Sequence, residues 1–211
     1  MAYEEQRLQV LNAAREIFNS NLVTGTWGNV SMRAPGEQRL IITPSGMNYA
    51  TMEALDLVVV DFNLKVIEGQ YKPSVESPLH MKIYRKRPEV NAIVHVHAPF
   101  ASAFAVARKN IPVLIEETAQ VVGHEVPVAA YAHCGTDQLA DNALKTLGND
   151  KKAVLLANHG LVALGDNMDD AFIVCYITER SAMIAIYARI LGPPHSLNAD
   201  DVRHLNRSFK D

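Results

Sequence analysis

Cysteine is scarce in this chain. Cys134 and Cys175 are the only two, too few for a disulfide framework and without ligand spacing to each other for a thiolate zinc site. A reducing, cytoplasmic setting is the expectation, with Cys175 in the core of a helix. An excess of one charge is also missing: 20 Lys and Arg stand against 23 Asp and Glu, a net charge of −3. That balance offers no electrostatic footprint for nucleic acid. The densest basic run, Arg85-Lys86-Arg87, reads as the solvated end of a helix, where cations suit the dipole. Long apolar runs are absent too. The stretch 182–191 is interrupted by Arg189 and is shorter than a bilayer span, so no membrane partner is expected. The opening Tyr3-Glu4-Glu5-Gln6-Arg7 is polar and acidic, unlike a signal peptide. No repeat or low-complexity linker divides the 211 residues, which predicts one domain over 1–211 with a polar tail from 198.

Apolar residues make up 48% of the chain, enough for a sizeable core. Leu8, Leu11, Ile17 and Phe18 fall at helical spacing and predict an amphipathic helix over 3–20. Short strands follow at 40–43, 57–62 and 66–67, the last two forming a hairpin around Asn63-Leu64. A run of strands with few helices argues for an antiparallel sheet in the first third. Ser77 with Pro78 starts a helix that runs to about 87. Further helices are predicted at 99–108, 137–147, 169–191 and 200–207, and further strands at 90–96, 111–115, 126–131, 153–157 and 161–164.

The stretch Ile93-Val94-His95-Val96-His97 carries the most chemistry. Side chains alternate along a strand, so His95 and His97 leave the same face. Such a pair is either half of a divalent metal site or two histidines bonded to backbone and water. His159 follows the apolar strand 153–157 in the turn Asn158-His159-Gly160, where it can meet another strand end. Three imidazoles are a common ligand set for an open catalytic zinc. His80, His124, His133, His195 and His204 read as structural or surface residues, with His124 and His133 as possible neighbours of a site. Glu76 stands at a helix N-terminus, where complementing the helix dipole is the ordinary reason for a carboxylate. The segment Gly25-Thr26-Trp27-Gly28-Asn29-Val30-Ser31 has the spacing of neither a P-loop nor a dinucleotide fingerprint. It is either a turn entering a strand or a binding loop whose Thr26, Asn29 and Ser31 offer neutral hydrogen-bonding groups.

Five segments in order, Gly25 to Ser31, Thr43-Pro44-Ser45-Gly46, Pro73-Ser74-Val75-Glu76, His95-Val96-His97 and Asn158-His159-Gly160, resemble the class II aldolase family. This is the group of fuculose-phosphate aldolases, ribulose-phosphate 4-epimerases and adducin head domains, and the likeness runs from the first helix to about residue 192. The resemblance implies an α/β fold with a central, mainly antiparallel sheet flanked by helices, assembled as a homotetramer with sites between subunits. It implies that His95, His97 and His159 hold Zn²⁺, or another divalent ion such as Mn²⁺ or Co²⁺. Glu76 would be the acid/base and a fourth ligand of the empty site. Thr26, Asn29, Ser45, Gly46 and Ser74 would bind the phosphate of a phosphorylated sugar. The implied reaction is retro-aldol cleavage of a ketose 1-phosphate, L-fuculose 1-phosphate-like, to dihydroxyacetone phosphate and an aldehyde. A metal stabilises the charge left on the ketose fragment, and a carboxylate beside it moves a proton on and off carbon. A 4-epimerase, dehydratase or decarboxylase could use the same site, and an adducin-like interaction domain would use none of it.

Three positions depart from the family pattern. Val75 stands where members carry a second hydroxyl before the acidic residue, removing one phosphate donor. Glu116 falls where some aldolases contribute a tyrosine across the interface, and is the position of an expected interface contribution. Cys134 replaces an aromatic. The tail from Asp200, with Arg203, Arg207 and Phe209, is expected to reach a neighbouring subunit's site.

Overall fold

Residues 29–33, 39–42, 58–61 and 92–96 alternate two sets of side chains, and both sets are buried. Strands apolar on both faces need a layer on each side, and this computed structural model, which describes residues 2–209, supplies them. Its eight strands are β1 (Asn29–Arg33), β2 (Arg39–Ile42), β3 (Val58–Asp61), β4 (Val66–Glu68), β5 (Ala92–Val96), β6 (Val128–Ala129), β7 (Ala153–Leu156) and β8 (Gly160–Gly165). They form one sheet in the order β4-β3-β2-β1-β5-β8-β7-β6. All pairs are antiparallel except β6 with β7. The α/β architecture with a mainly antiparallel sheet is thus the one the sequence predicts.

Val30, Ile41, Val59, Val94, Leu155 and Leu161 face one layer. It contains α1 (Glu4–Asn19), α3 (Pro99–Ala107) and α5 (Met168–Leu191). Ile42, Val58, Ile93, Val154 and Val162 face the other, made of α2 (Ser77–Lys86) and α4 (Asp137–Leu147). Thr136 caps α4 by accepting from Leu139 N at 3.3 Å, and Asn167 caps α5 by accepting from Asp170 N at 2.9 Å, the usual use of a Thr or Asn at that position. As a whole α5 is long and apolar enough to cross a bilayer, unlike the segment 182–191 alone. Its Ala171, Val174, Cys175, Thr178, Ala182 and Ala185 are instead buried in the core.

Several expectations need correction. Residues 111–115 form no strand; Ile111 makes a single bridge to Val126, and only Val128–Ala129 of 126–131 joins the sheet. A widened turn at Thr118–Val122, closed by Gly123 N on Thr118 O five residues back at 3.0 Å, had no signal in the sequence. Arg87 is not solvated. It is buried, paired with Glu89, and donates to the carbonyls of Gly148 (3.3 Å) and Lys151 (3.1 Å). Arg7 is buried as well, donating to the carbonyls of Ala54 and Leu57 and to Glu68. Such charges persist inside only when every N–H is used. The tail helix α6 (Ala199–Ser208) seats Val202 against Val113 and Ala119 of its own chain, and Asn206 donates to the Ala119 and Gln120 carbonyls.

Candidate active site

The centre of the sheet brings the three histidines together. His95 lies in β5 directly opposite Asn29 of β1 and Val162 of β8. His97 leaves the end of the same strand on the same face. β7 and β8 form a hairpin pairing Leu156 with Gly160, and His159 sits in its three-residue loop beside Asn158, whose φ of 54° is left-handed. Asn tolerates that conformation, and its side chain is held by Arg108 from the end of α3. Glycine is required next. A Cβ on Gly160 would lie 2.3 Å from the Val96 carbonyl and 3.1 Å from the His97 ring, and one on Gly28 would lie 2.7 Å from the His95 carbonyl. Both glycines let backbone close on the histidine strand.

The resulting geometry is a three-imidazole cluster. Ring centroids are 4.8 to 5.0 Å apart at steep angles, and one nitrogen from each ring lies within 4.8 Å of the others. The His95 and His97 Nε2 atoms are 3.2 Å apart. Two nitrogens on one tetrahedral metal at a Zn–N bond of about 2.05 Å are separated by about 3.3 Å. His95 Nδ1 is 2.9 Å from the Leu161 carbonyl, a contact that puts a proton on Nδ1 and leaves Nε2 to bind a cation. The donor set therefore fits a divalent metal.

Glu76 completes the cluster. It is the residue ahead of α2, yet its carboxylate makes no capping bond and turns toward the histidines instead. Its Oε2 accepts from Asn29 Nδ2 at 2.9 Å and lies 3.0 Å from His95 Nε2, while Oε1 is 3.6 Å from His159 Nε2. Dipole complementarity is thus not the reason for this Glu. Burial would raise its pKa, but the charge and hydrogen bond of His95, the charge of His159 and the Asn29 amide hold it well below the carboxylate range. For His95, burial is outweighed by the Glu76 charge and hydrogen bond and its pKa is raised. His97 and His159 go the other way, to about 3 and about 4, through burial and then the charge of His95.

A cavity of ≈ 460 Å³ opens beside these groups, lined by Thr26, Trp27, Gly28, Asn29, Pro44, Ser45, Gly46, Ser74, Val75, Glu76, His97, Cys134 and His159. All five residues expected at a phosphate border it. Ser45, Gly46 and Ser74 lie on two loops running antiparallel, with Ser45 N donating to Lys72 O at 2.9 Å and Ser74 N to Thr43 O at 3.2 Å. Trp27, 67% exposed, tilts over His97 at 5.9 Å between ring centroids, and with Val75 and Cys134 it gives the cleft an apolar side. Burial and then the Glu76 carboxylate push the Cys134 thiol up to about 12, which keeps it protonated. Glu116 is exposed and lies outside this lining. His124 accepts from Lys152 N at 3.0 Å and His133 is exposed; neither lines the cleft.

Known proteins resemble this chain along its whole length. The chain is 35% identical over 210 residues to a 5-deoxy-D-ribulose 1-phosphate aldolase of Bacillus thuringiensis serovar kurstaki, covering all of this chain and 98% of that one. It is 34% identical over 201 residues to a 5-methylthioribulose-1-phosphate/5-deoxyribulose-1-phosphate aldolase of Rhodospirillum rubrum, covering 95% and 89%. A solved L-fuculose 1-phosphate aldolase superposes with a TM-score of 0.95 at 34% identity, over 100% of this chain and 99% of the other. The family model described as Class II Aldolase and Adducin N-terminal domain matches residues 8–186, and the chain belongs to that family.

Proposed function

We propose that this protein is a metal-dependent aldolase that cleaves a ketose 1-phosphate to dihydroxyacetone phosphate and an aldehyde. The observation that carries it is one buried carboxylate beside three converging imidazoles, at the edge of a cleft lined by Thr26, Ser45 and Ser74. His95, His97 and His159 would hold the cation, Zn²⁺ first, with Mn²⁺ or Co²⁺ as substitutes. A divalent cation there supplies Lewis-acid stabilisation of the negative charge that C–C cleavage leaves on the ketose fragment. Thr26, Asn29, Ser45, Gly46 and Ser74 anchor the phosphate, which holds the reacting carbons in register with Glu76. Glu76 takes the hydroxyl proton as the bond breaks and returns a proton to carbon.

The substrate favoured here carries an apolar distal carbon. Trp27 and Cys134 line the cleft without adding a charged group, and the two relatives above are named for 5-deoxy and 5-methylthio ketose 1-phosphates. An L-fuculose 1-phosphate-like substrate, whose aldehyde keeps a hydroxyl, ranks second. Assembly as a tetramer accords with the exposed Tyr187, Ile190 and Leu191 on α5, since adjoining apolar side chains of this size mark contact surfaces. Glu116 and α6 would then approach a neighbouring subunit. The two free cysteines suit the cytoplasm.

The test is a panel of ketose 1-phosphates with coupled detection of dihydroxyacetone phosphate, run with and without chelator. Chelator-sensitive release, fastest with 5-deoxyribulose 1-phosphate, is expected. Epimerised, dehydrated or decarboxylated product without dihydroxyacetone phosphate would assign the site to another reaction. Light scattering in solution checks the oligomer.

A further inference from the structure

The Glu76 carboxylate is satisfied at one oxygen only. Oε2 takes the Asn29 amide and lies beside His95, whereas Oε1 is buried and has no hydrogen-bond partner. The residue is 3% exposed, and a buried oxygen left unpaired costs stability unless something else uses it. Oε1 is 3.6 Å from His159 Nε2. A carboxylate oxygen of Glu76, the Cys134 sulfur and a His159 nitrogen all lie within 4.8 Å of one another. This group shares only His159 with the three-imidazole cluster.

The turn ahead of α4 puts the sulfur there. Thr136 N and Oγ1 both donate to the His133 carbonyl, at 3.3 and 2.6 Å. Gly135, at a φ of 76°, lies so close to Val75 that a Cβ on it would be 3.0 Å from the Val75 carbonyl. The contact between Gly135 and Val75 sets their neighbours Cys134 and Glu76 side by side. Free cysteine ordinarily behaves as a small buried apolar residue, as Cys175 does in the core. Cys134 is instead exposed in the wall of the cleft, so packing does not call for sulfur at this position. Around one tetrahedral ion, bonds of about 2.3 Å to sulfur and about 2.05 Å to nitrogen or oxygen set donors about 3.3 to 3.6 Å apart. Side-chain shifts on the order of 1 Å close the group to that size.

We propose that Glu76, Cys134 and His159 form a second cation position, selective for a thiophilic divalent ion, whose occupation silences the site. Sulfur favours soft ions such as Zn²⁺ and Cd²⁺ over a hard one such as Mn²⁺. Binding exchanges the thiol proton for the ion: the S–H bond breaks, an S–metal bond forms, the proton leaves to water and no electron moves. Thiolate and carboxylate together balance the charge of the ion. Sharing His159, the two positions compete for it, and an ion in the second one also engages Glu76. The position itself rests on the three side chains alone; its inhibitory effect rests on Glu76 as the acid/base, as proposed above.

Titration of the metal-free protein with Cd²⁺, followed by the ultraviolet thiolate-to-Cd²⁺ charge-transfer band, reads the position without turnover. Wild type should develop the band and Cys134→Ser, which retains Cys175, should not. His97→Ala disables the three-histidine position but leaves Glu76, Cys134 and His159, and should develop the band as well. No band in wild type, or an equal one in Cys134→Ser, would overturn the position. A band in wild type that is missing from folded His97→Ala would overturn it too, because Cys134 would then only add to the three-histidine ion.

Inhibition is read on Mn²⁺-loaded protein cleaving a ketose 1-phosphate, each variant against its own rate without Cd²⁺. Half-inhibition of wild type is expected at a Cd²⁺ concentration at least about tenfold below that for Cys134→Ser, the scale on which groups around a metal alter its affinity. Equal sensitivity of the two, with the band confined to wild type, would overturn the inhibitory effect and leave the position standing. A wild type that cleaves no ketose 1-phosphate would overturn the aldolase assignment, while the Cd²⁺ band still decides the position.

Discussion

The two faces of the central sheet are built to different ends. On the side of α1, α3 and α5 buried hydroxyls are mostly paired: Thr118 and Ser181 meet at 2.5 Å, and Thr178 donates to the Val174 carbonyl at 2.7 Å, with the Ser102 hydroxyl of α3 the exception. On the side of α2 and α4 the sheet carries Asn29, Ser31 and His95 against Glu76 and His80. Of the four unpartnered buried side-chain atoms among the described residues, three belong to that set. Unpaired buried polar atoms cost about 1–3 kcal/mol each, so one face spends stability that the other supplies. The apolar side holds the fold, and the polar side holds a site that ordinary packing would not choose.

The contrast is broken most completely by removing a ligand. His95→Ala or His159→Ala is expected to release the metal and lower kcat/KM on the order of 10³-fold or more. Metal analysis and cleavage assays on the same preparation check whether the two losses coincide. Glu76→Gln should keep the metal and lower kcat roughly 10²- to 10³-fold; full turnover there would mean another group is the base. On the opposite face, Leu155→Ala should cost about 3 kcal/mol of stability by denaturant unfolding, with kcat per folded molecule unchanged.

A smaller effect comes from pH. His80 has a folded pKa of about 3 against an ordinary 6.5. Above pH 6.5 it is neutral in both states and adds no pH dependence. As pH falls below that, the unfolded chain takes up a proton that the folded chain refuses, so stability is lost toward pH 3. By pH 5 the loss is about 2 kcal/mol. His80→Phe should flatten the stability–pH curve between pH 6.5 and 5 by that amount relative to wild type. The smallest change is at the phosphate end. Val75→Ser adds a hydroxyl at a solvent-facing position of the cleft and should lower KM about fivefold, the worth of roughly one hydrogen bond, in steady-state kinetics.

Much of the α2-facing site was legible before any coordinates. A period of two placed His95 and His97 on one face, Pro78 marked the start of α2 beside Glu76, and Asn158-His159-Gly160 read as a turn. The contacts of Glu76, His80 and Tyr84 with Asn29, Ser31 and Arg33 also follow from spacings of four and two. They could have been found had His80 not been set aside as a lone structural histidine. The widened turn at Thr118–Val122 had no local signal, because its backbone is set by the docking of α6 and α5 against it. Arg87 looked like a surface charge and nothing local marked Arg7 for burial, since burial of a guanidinium depends on carbonyls about 50 to 60 residues away in the chain.

Local rules were enough to determine which segments alternate, where helices begin, and which residue types could serve a cation or a phosphate. Only the tertiary structure decided that Glu76 turns its carboxylate away from its own helix toward three rings. Helix, strand and hairpin loop each place one end of that cluster independently. Their convergence on one centre is a property of strand order and register, which no single segment encodes.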